Sequence, residues 1–411
     1  MEFDTKSISR KSIFHKSLLP MPRYRLINAR LPRHKSAIDQ SIDRSPQDLW
    51  IEDGKIVEIV PSIQEFTNLR ESPPIKLDLE GDWLSLGGMD LQINGALGLA
   101  FPDVTIDSGE KLVEINRFLW DQGVDAYCPT IVTAAVSQIQ TALAGFVAFE
   151  SSSNSAQATI AGIHLEGPFL NPAKRGAHPK EHILPLTIDN IKRVLGDYAS
   201  LIKIITLAPE MAVKTGAVEY LKSLGITVSL GHSLATAQQA NHAFTSGATM
   251  VTHAFNAMPS LHHRTPGLLG SAIVNPTVTC GFIADGQHIA PLMMDILLRA
   301  SDYDRGLFLV SDALSPLGLP DGQYPWDSRT IQVTQGTARL SDGTLSGTTL
   351  GLLVGVQNLM KWGLCDLEQA IAMATITPRI SIQCDSSINS AKGRLLRWSK
   401  HQLGTWQQII L

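Results

Sequence analysis

Three short apolar runs each end in a side chain able to bind a metal. Ile160-Ala161-Gly162-Ile163-His164-Leu165 leads to Glu166, and Gly167-Pro168 follows at once. Thr227-Val228-Ser229-Leu230-Gly231 leads to His232, and Met250-Val251-Thr252 leads to His253. Apolar runs with β-branched residues, stopped by glycine and proline, read as strands. One carboxylate and two imidazoles at three strand tips suit a divalent cation, zinc or iron(II), with a position left open for water. Their separation along the chain is too large for a local ligand motif. The reading therefore rests on the three tips meeting in space. Taken singly, each histidine reads equally as a core residue and Glu166 as a cap. A fourth run, Leu309-Val310-Ser311, ends at Asp312. A carboxylate beside an activated water can accept its proton and return it to a leaving group. The plain alternative for Asp312 is a helix N-cap.

These side chains need a scaffold that brings strand ends together. From Gly87 the chain repeats a rhythm of strand, loop and helix. Eight apolar runs have strand length: Met89–Gln92, Ala126–Thr130, Ile160–Leu165, Ile202–Leu207, Thr227–Leu230, Met250–His253, Val278–Ala284 and Phe308–Ser311. Helical patterns lie between and after them, at Gly109–Gln122, Ala235–Thr245, Pro291–Ala300, Leu350–Trp362 and Asp366–Ala374. The chain thus reads as α/β, a (β/α)₈ TIM-like barrel with its chemistry at the C-terminal strand ends. A doubly wound open sheet is the structural alternative.

Residues 22–86 read as the N-terminal part of a small β-sandwich. Asp53-Gly54 between Leu49–Glu52 and Lys55–Ile59 is a two-residue hairpin signal, and Lys76–Leu86 reads as a second hairpin around Gly81-Asp82. The polar segment His34–Gln47 reads as a loop. Residues 87–378 form the catalytic barrel, and residues 379–411 return to the sandwich through Leu395–Trp398 and Thr405–Ile410. The excursion Ala313–Ser346, with hairpin-like Thr330–Val333 and Ala338–Leu340, has the length of a loop that closes over a site.

The bulk composition excludes several classes. A net charge of -4 offers no basic field for nucleic acid. No apolar run approaches the roughly 18 residues that span a bilayer, so no membrane partner is expected. The four cysteines are widely spaced without a CxxC pair, as expected of free thiols in a reducing, cytoplasmic setting. Residues 1–21 carry Lys6, Arg10, Lys11 and Lys16 but no apolar core of a signal peptide, and read as a disordered extension.

Six pieces stand in one order: His164-Leu165-Glu166-Gly167-Pro168-Phe169-Leu170-Asn171, Leu230-Gly231-His232-Ser233, Thr252-His253-Ala254-Phe255-Asn256-Ala257-Met258, Ala284-Asp285-Gly286-Gln287-His288, Val310-Ser311-Asp312-Ala313 and Gly343-Thr344-Leu345-Ser346-Gly347. Each piece is weak alone. As an ordered set, from about Gly87 to Pro378, they resemble the N-acetylglucosamine-6-phosphate deacetylases of the amidohydrolase superfamily.

The resemblance implies Glu166, His232 and His253 as metal ligands and Asp312 as the catalytic acid–base. It implies sugar-phosphate contacts from Ala177, His178, Asn256, Ala257, Arg264, Asp285, Gly286, Gln287, His288, Leu345, Ser346 and Gly347. The residue chemistry agrees. Arg264 is a fixed cation with the fork geometry that suits phosphate. Backbone N–H groups at Asn256 and Ala257 are candidate phosphate donors, and His178 a candidate for a hydroxyl or an oxyanion. His262 and His263 have no matching role. The resemblance also implies a homodimer, with the phosphate-binding arginine reaching across the interface.

One departure stands out. Where many amidohydrolases carry His-x-His, this chain reads Gln92-Ile93-Asn94. An amide is a poor metal ligand, so one divalent ion per chain is expected rather than two. The expected reaction is removal of acetyl from N-acetyl-D-glucosamine 6-phosphate. The alternatives are a related N-acetylhexosamine phosphate as substrate, or a non-catalytic sugar-phosphate sensor on the same barrel.

Overall fold

Eight parallel strands follow one another around a barrel: Gly88–Ile93, Val124–Val132, Ile163–Glu166, Ile202–Leu207, Thr227–Leu230, Met250–Val251, Thr279–Phe282 and Leu307–Leu309. Each pairs in parallel with the next. The last and first meet through a bridge from Ile93 to Ala313, where Asp312 N–H donates to Gln92 O at 2.9 Å. This computed structural model describes residues 23–33, 45–62, 74–149, 156–391 and 394–410. The expected extension over 1–21 and most of the expected loop 34–47 lie outside the described residues.

The eight expected barrel strands are all present; Ile202–Leu207 and Thr227–Leu230 keep their expected ends and the other six are shifted. Two shifts carry meaning. The run Ile160–Leu165 breaks into Thr159–Ile160 and Ile163–Glu166. Gly162 turns there at φ 135°, where a side chain would meet Lys203 Cβ at 2.7 Å. The sixth strand stops at Val251 rather than His253, because His253 leaves the extended region at φ 26°.

Helices cover the barrel outside. Gly109–Asp121 buries Leu112, Ile115 and Leu119 on one face and ends before Gly123, at φ 79°. Each such side chain contributes about 1.5–3 kcal/mol through burial. Inside, the barrel is layered. Met89, Leu91, Cys128, Ile204, Met250, Phe308 and Ile382 form an apolar floor. Above it His164 Nε2 pairs with Thr206 Oγ1 at 2.8 Å, Thr206 with Thr252 at 2.6 Å, and Thr252 with Ser229 at 2.6 Å. Burial pushes the His164 imidazole down to about 4, so it is neutral there. Glu166 lies two residues beyond His164 on the same strand, so alternation puts both side chains on the inner face.

Two small sheets pack beside the barrel. One orders Lys55–Pro61, Gln47–Glu52, Tyr24–Ala29 and Ile75–Asp78, and the other Trp406–Ile410, Arg394–Trp398 and Trp83–Ser85. Leu26, Leu49, Ile51 and Leu84 share one core with Leu395 and Ile409, so the N- and C-terminal segments build it together. The Asp53-Gly54 turn has both residues at positive φ, as its hairpin requires. The expected hairpin over Lys76–Leu86 does not form. Ile75–Asp78 pairs in parallel with Tyr24–Ala29, while Trp83–Ser85 pairs with Arg394–Trp398. The turn at Glu80-Gly81 carries the chain from one sheet to the other. A short helix, Thr377–Ser381, spans the expected domain boundary at 378/379.

The excursion after the eighth strand folds into a four-stranded antiparallel sheet: Gly322–Trp326, Arg329–Thr334, Thr337–Leu340 and Leu345–Thr348. Its inner residues Ile331, Val333, Ala338 and Leu340 pack with Leu314 and with Ala177. The sheet is thereby docked onto the loop that carries His178. Among the described residues no helix is long and apolar enough to cross a membrane.

Candidate active site

Glu166 is the last residue of the third strand, while His232, His253 and Asp312 each lie just past a strand end. Those three adopt positive φ, at 48°, 26° and 47°. Left-handed backbone at a non-glycine residue costs free energy and collects at functional sites. Gly167 makes the turn after Glu166 at φ 88°, and a Cβ there would stand 2.2 Å from Thr133 Oγ1. That hydroxyl donates to Glu166 O at 3.2 Å, so the close approach needs glycine.

The four side chains converge, and all are buried. Glu166 Oε1 lies 3.3 Å from His232 Nε2 and 3.1 Å from His253 Nε2, and the two nitrogens are 3.0 Å apart. Ligands held at about 2.0–2.1 Å by a tetrahedral cation stand about 3.3 Å from each other. The triangle fits that spacing. His232 Nδ1 lies 2.9 Å from Lys174 O, and a carbonyl only accepts, so Nδ1 carries the proton and the Nε2 lone pair faces inward. Two imidazole nitrogens and a carboxylate oxygen at these distances call for a positive charge between them. Burial alone would raise the Glu166 carboxyl, but His232, His253 and His178 hold it well below its usual range. Burial would lower His253, yet the Glu166 hydrogen bond and charge raise it. The donor set therefore fits a divalent cation.

Asp312 Oδ1 accepts from Asn94 Nδ2 at 2.8 Å and from Gln92 Nε2 at 3.3 Å. Burial, then the negative charge of Glu166, pushes the Asp312 carboxyl up to about 7. His178 completes the inner wall. Thr133 N–H donates to its Nδ1 at 3.3 Å, so the ring proton sits on Nε2, which lies 3.8 Å from Glu166 Oε2. Burial, then the neighbouring His232, lowers His178 to about 3. The ring is therefore a neutral donor.

Asn94, Thr133, Glu166, His178, His232, His253 and Asp312 line a cavity of about 750 Å³. Ala177, Asn256, Ala257, His288, Leu345, Ser346 and Gly347 line it as well. Gly347 is fixed by contact, since a Cβ there would meet Asp312 O at 2.5 Å. Asn256 N–H, a candidate phosphate donor, already donates to His253 O at 3.0 Å. Asp285, Gly286 and Gln287 do not line this cavity. Asp285 instead holds His288, with Oδ2 2.7 Å from Nδ1 and Oδ1 accepting from the Gln287 and His288 N–H groups. Burial raises the Asp285 carboxyl, but the His288 contacts win and keep it below its usual range.

Arg264 does not reach the cavity either. It is exposed on the loop before the helix Gly267–Ile273. Among the described residues no lysine or arginine lines the cavity. Sequence reasoning missed Thr133, which orients His178, and Tyr324 and Trp326, which line the cavity from the covering sheet. The length of the excursion signalled a cover, but nothing in the spacing singled out those two rings.

No protein-family model matches the chain. Two curated relatives and one solved structure place it. The N-acetylglucosamine-6-phosphate deacetylase of Bos taurus is 35% identical over 340 residues, covering 81% of each chain. The N-acetylgalactosamine-6-phosphate deacetylase of Escherichia coli O157:H7 is 30% identical over 344 residues, covering 84% of this chain and 87% of its own. The crystal structure of N-acetylglucosamine-6-phosphate deacetylase from Pasteurella multocida has a TM-score of 0.76 at 26% identity, covering 94% of this chain and 99% of that one.

Proposed function

The chain belongs to the N-acetylglucosamine-6-phosphate deacetylase family, and from that premise we propose how its cavity does the work. The enzyme hydrolyses the acetamide of N-acetyl-D-glucosamine 6-phosphate to glucosamine 6-phosphate and acetate, in amino-sugar catabolism. Glu166, His232 and His253 would hold one divalent cation, zinc or iron(II), which when bound supplies Lewis acidity to water and to the acetamide carbonyl. The carrying observation is the convergence of those three side chains beside Asp312.

Asp312 takes a proton from the attacking water as the C–O bond forms. It gives that proton to the amine nitrogen as the C–N bond breaks. His178 offers its Nε2–H to the oxygen on which negative charge develops. His288, oriented by Asp285, is assigned to a sugar hydroxyl, and Leu345–Gly347 to the rim of the sugar site.

The phosphate needs a cation, and among the described residues no lysine or arginine lines this chain's own cavity. Arg264 is exposed outside its own cavity, which supports a homodimer in which Arg264 of the partner subunit supplies the charge. Four free cysteines support a reducing, cytoplasmic setting. The similarity to the galactosamine enzyme favours a second reading, in which the 4-epimer is also turned over.

Acetate release from a panel of N-acetylated sugars tests the assignment. The panel holds the glucosamine and galactosamine epimers, each with and without 6-phosphate. N-acetylglucosamine 6-phosphate should give the highest kcat/KM. Preference for an unphosphorylated sugar, or no acetate from any, would overturn it.

A further inference from the structure

The fourth barrel strand, Ile202–Leu207, supplies no ligand to the Glu166–His232–His253 group. Its tip carries Glu210, which stands between the third and fifth strands, the two that lead to Glu166 and His232. The Glu210 carboxylate accepts three hydrogen bonds. Asn171 Nδ2 donates to Oε1 at 2.9 Å, Leu234 N–H donates to Oε1 at 2.5 Å, and Ser233 Oγ donates to Oε2 at 2.7 Å. Hydrogen bonds to an ionised acceptor are about twice as strong as neutral ones.

All three donors lead to one imidazole. Ser233 and Leu234 directly follow His232 and fix its backbone. Asn171 reaches the same residue by two routes. Its N–H donates to His232 O at 2.9 Å. Its Oδ1 accepts from Ala173 N–H at 3.0 Å and so caps the turn Pro172–Lys174. That turn ends at Lys174, whose carbonyl accepts from His232 Nδ1 at 2.9 Å. One carboxylate thus holds both the main chain of His232 and the carbonyl that sets its tautomer.

We propose that Glu210 is a positioning residue for the cation site, fixing the place and tautomer of His232 without touching cation or substrate. The proposal rests on the reading of Glu166, His232 and His253 as ligands. Strand four would then serve the site as a clamp on its two neighbours. A carboxylate that merely stabilised the loops would act differently. Its loss would lower the melting temperature of the metal-free protein and leave the affinity of the folded fraction unchanged.

The test uses the full chain, stripped of metal, as wild type, Glu210→Ala and Glu210→Gln. Zinc and cobalt(II) affinities come from competition with a chromophoric chelator, the cobalt absorption bands report ligand geometry, and the metal-free melting temperature is read alongside. Loss of a partner that orients a ligand weakens metal binding about 10- to 100-fold. That loss is expected in Glu210→Ala, with altered cobalt bands. Glu210→Gln keeps one acceptor oxygen and should fall between that variant and wild type. Affinity within about twofold of wild type in folded Glu210→Ala would overturn the proposal, whatever the melting temperature does. If Glu210→Ala does not fold, Asn171→Ala removes the arm that leads to Lys174 and carries the same expectation. Wild-type affinity there and in Glu210→Gln would overturn it equally. A wild-type chain that binds no divalent ion would instead remove the ligand set itself, and the proposal with it.

Discussion

Gln92 and Glu166 meet across the barrel mouth, with the Gln92 amide donating to Glu166 Oε1 at 2.8 Å. The same nitrogen lies 3.3 Å from Asp312 Oδ1, which also accepts from Asn94 at 2.8 Å. Neutral amide donors of the first strand therefore stand between the two carboxylates. They relieve the repulsion that two buried anions would otherwise feel. The Gln92 and Asn94 amides thus hold the two carboxylates in place. Gln92→Ala should keep its metal and lose about 10- to 100-fold in kcat, as expected when a group that orients a ligand is removed. Steady-state kinetics with metal analysis checks this. Unchanged kcat would deny Gln92 the orienting role.

Asp312→Asn tests the proton shuttle. The amide keeps the size and the place of the carboxylate but cannot accept the proton. Positioned acid–base groups contribute about 10²- to 10⁴-fold to rate. A loss of that order in kcat, with metal content unchanged, is the expected result. Normal turnover would remove Asp312 from the mechanism.

Arg264→Ala tests the phosphate assignment. KM should rise far more for N-acetylglucosamine 6-phosphate than for the unphosphorylated sugar. The dimer reading adds a mixed-subunit experiment. Arg264→Ala subunits mixed with inactive Asp312→Asn subunits should regain activity, because one of the two shared sites then holds both intact residues. An equal effect on both sugars would contradict the phosphate contact.

Asp90 gives a pH prediction away from the ligands. It is buried in the first strand and accepts from Ser311 N–H at 3.2 Å and Gln92 N–H at 3.3 Å. Burial raises its carboxyl from 3.8 to about 7. Between those values the folded chain binds a proton that the unfolded chain does not, so stability falls as pH rises through the window. Above it the buried carboxylate costs a few kcal/mol, at about 1.4 kcal/mol per pKa unit. Asp90→Asn should therefore melt higher than wild type at pH 8, with a smaller gain at pH 5 and none below the unfolded value of 3.8. A melting temperature lowered equally at both values would contradict this charge assignment.

Much of the site was legible because its chemistry sits at strand ends. Glu166, His232, His253 and Asp312 each close an apolar run, and residue type with strand position is enough to nominate them. The partners were harder to read. Alternation marks Ile75–Asp78 and Trp83–Ser85 as strands but does not say which strand each will join, so a hairpin was expected where the chain changes sheets. Asp285 and Arg264 have the right chemistry for a sugar phosphate, yet one orients His288 and the other lies outside its own cavity. Tyr324, Trp326 and Glu210 gave no signal, because their positions depend on tertiary packing rather than on any local period.

One cation, held by Glu166, His232 and His253, should be required for turnover. The decisive measurement titrates metal-free protein with zinc or iron(II) and follows acetate release from N-acetylglucosamine 6-phosphate. Activity should rise linearly from near zero and level off at about one ion per chain, as a three-ligand catalytic site requires. Full activity without added metal, or a break at about two ions per chain, would contradict it.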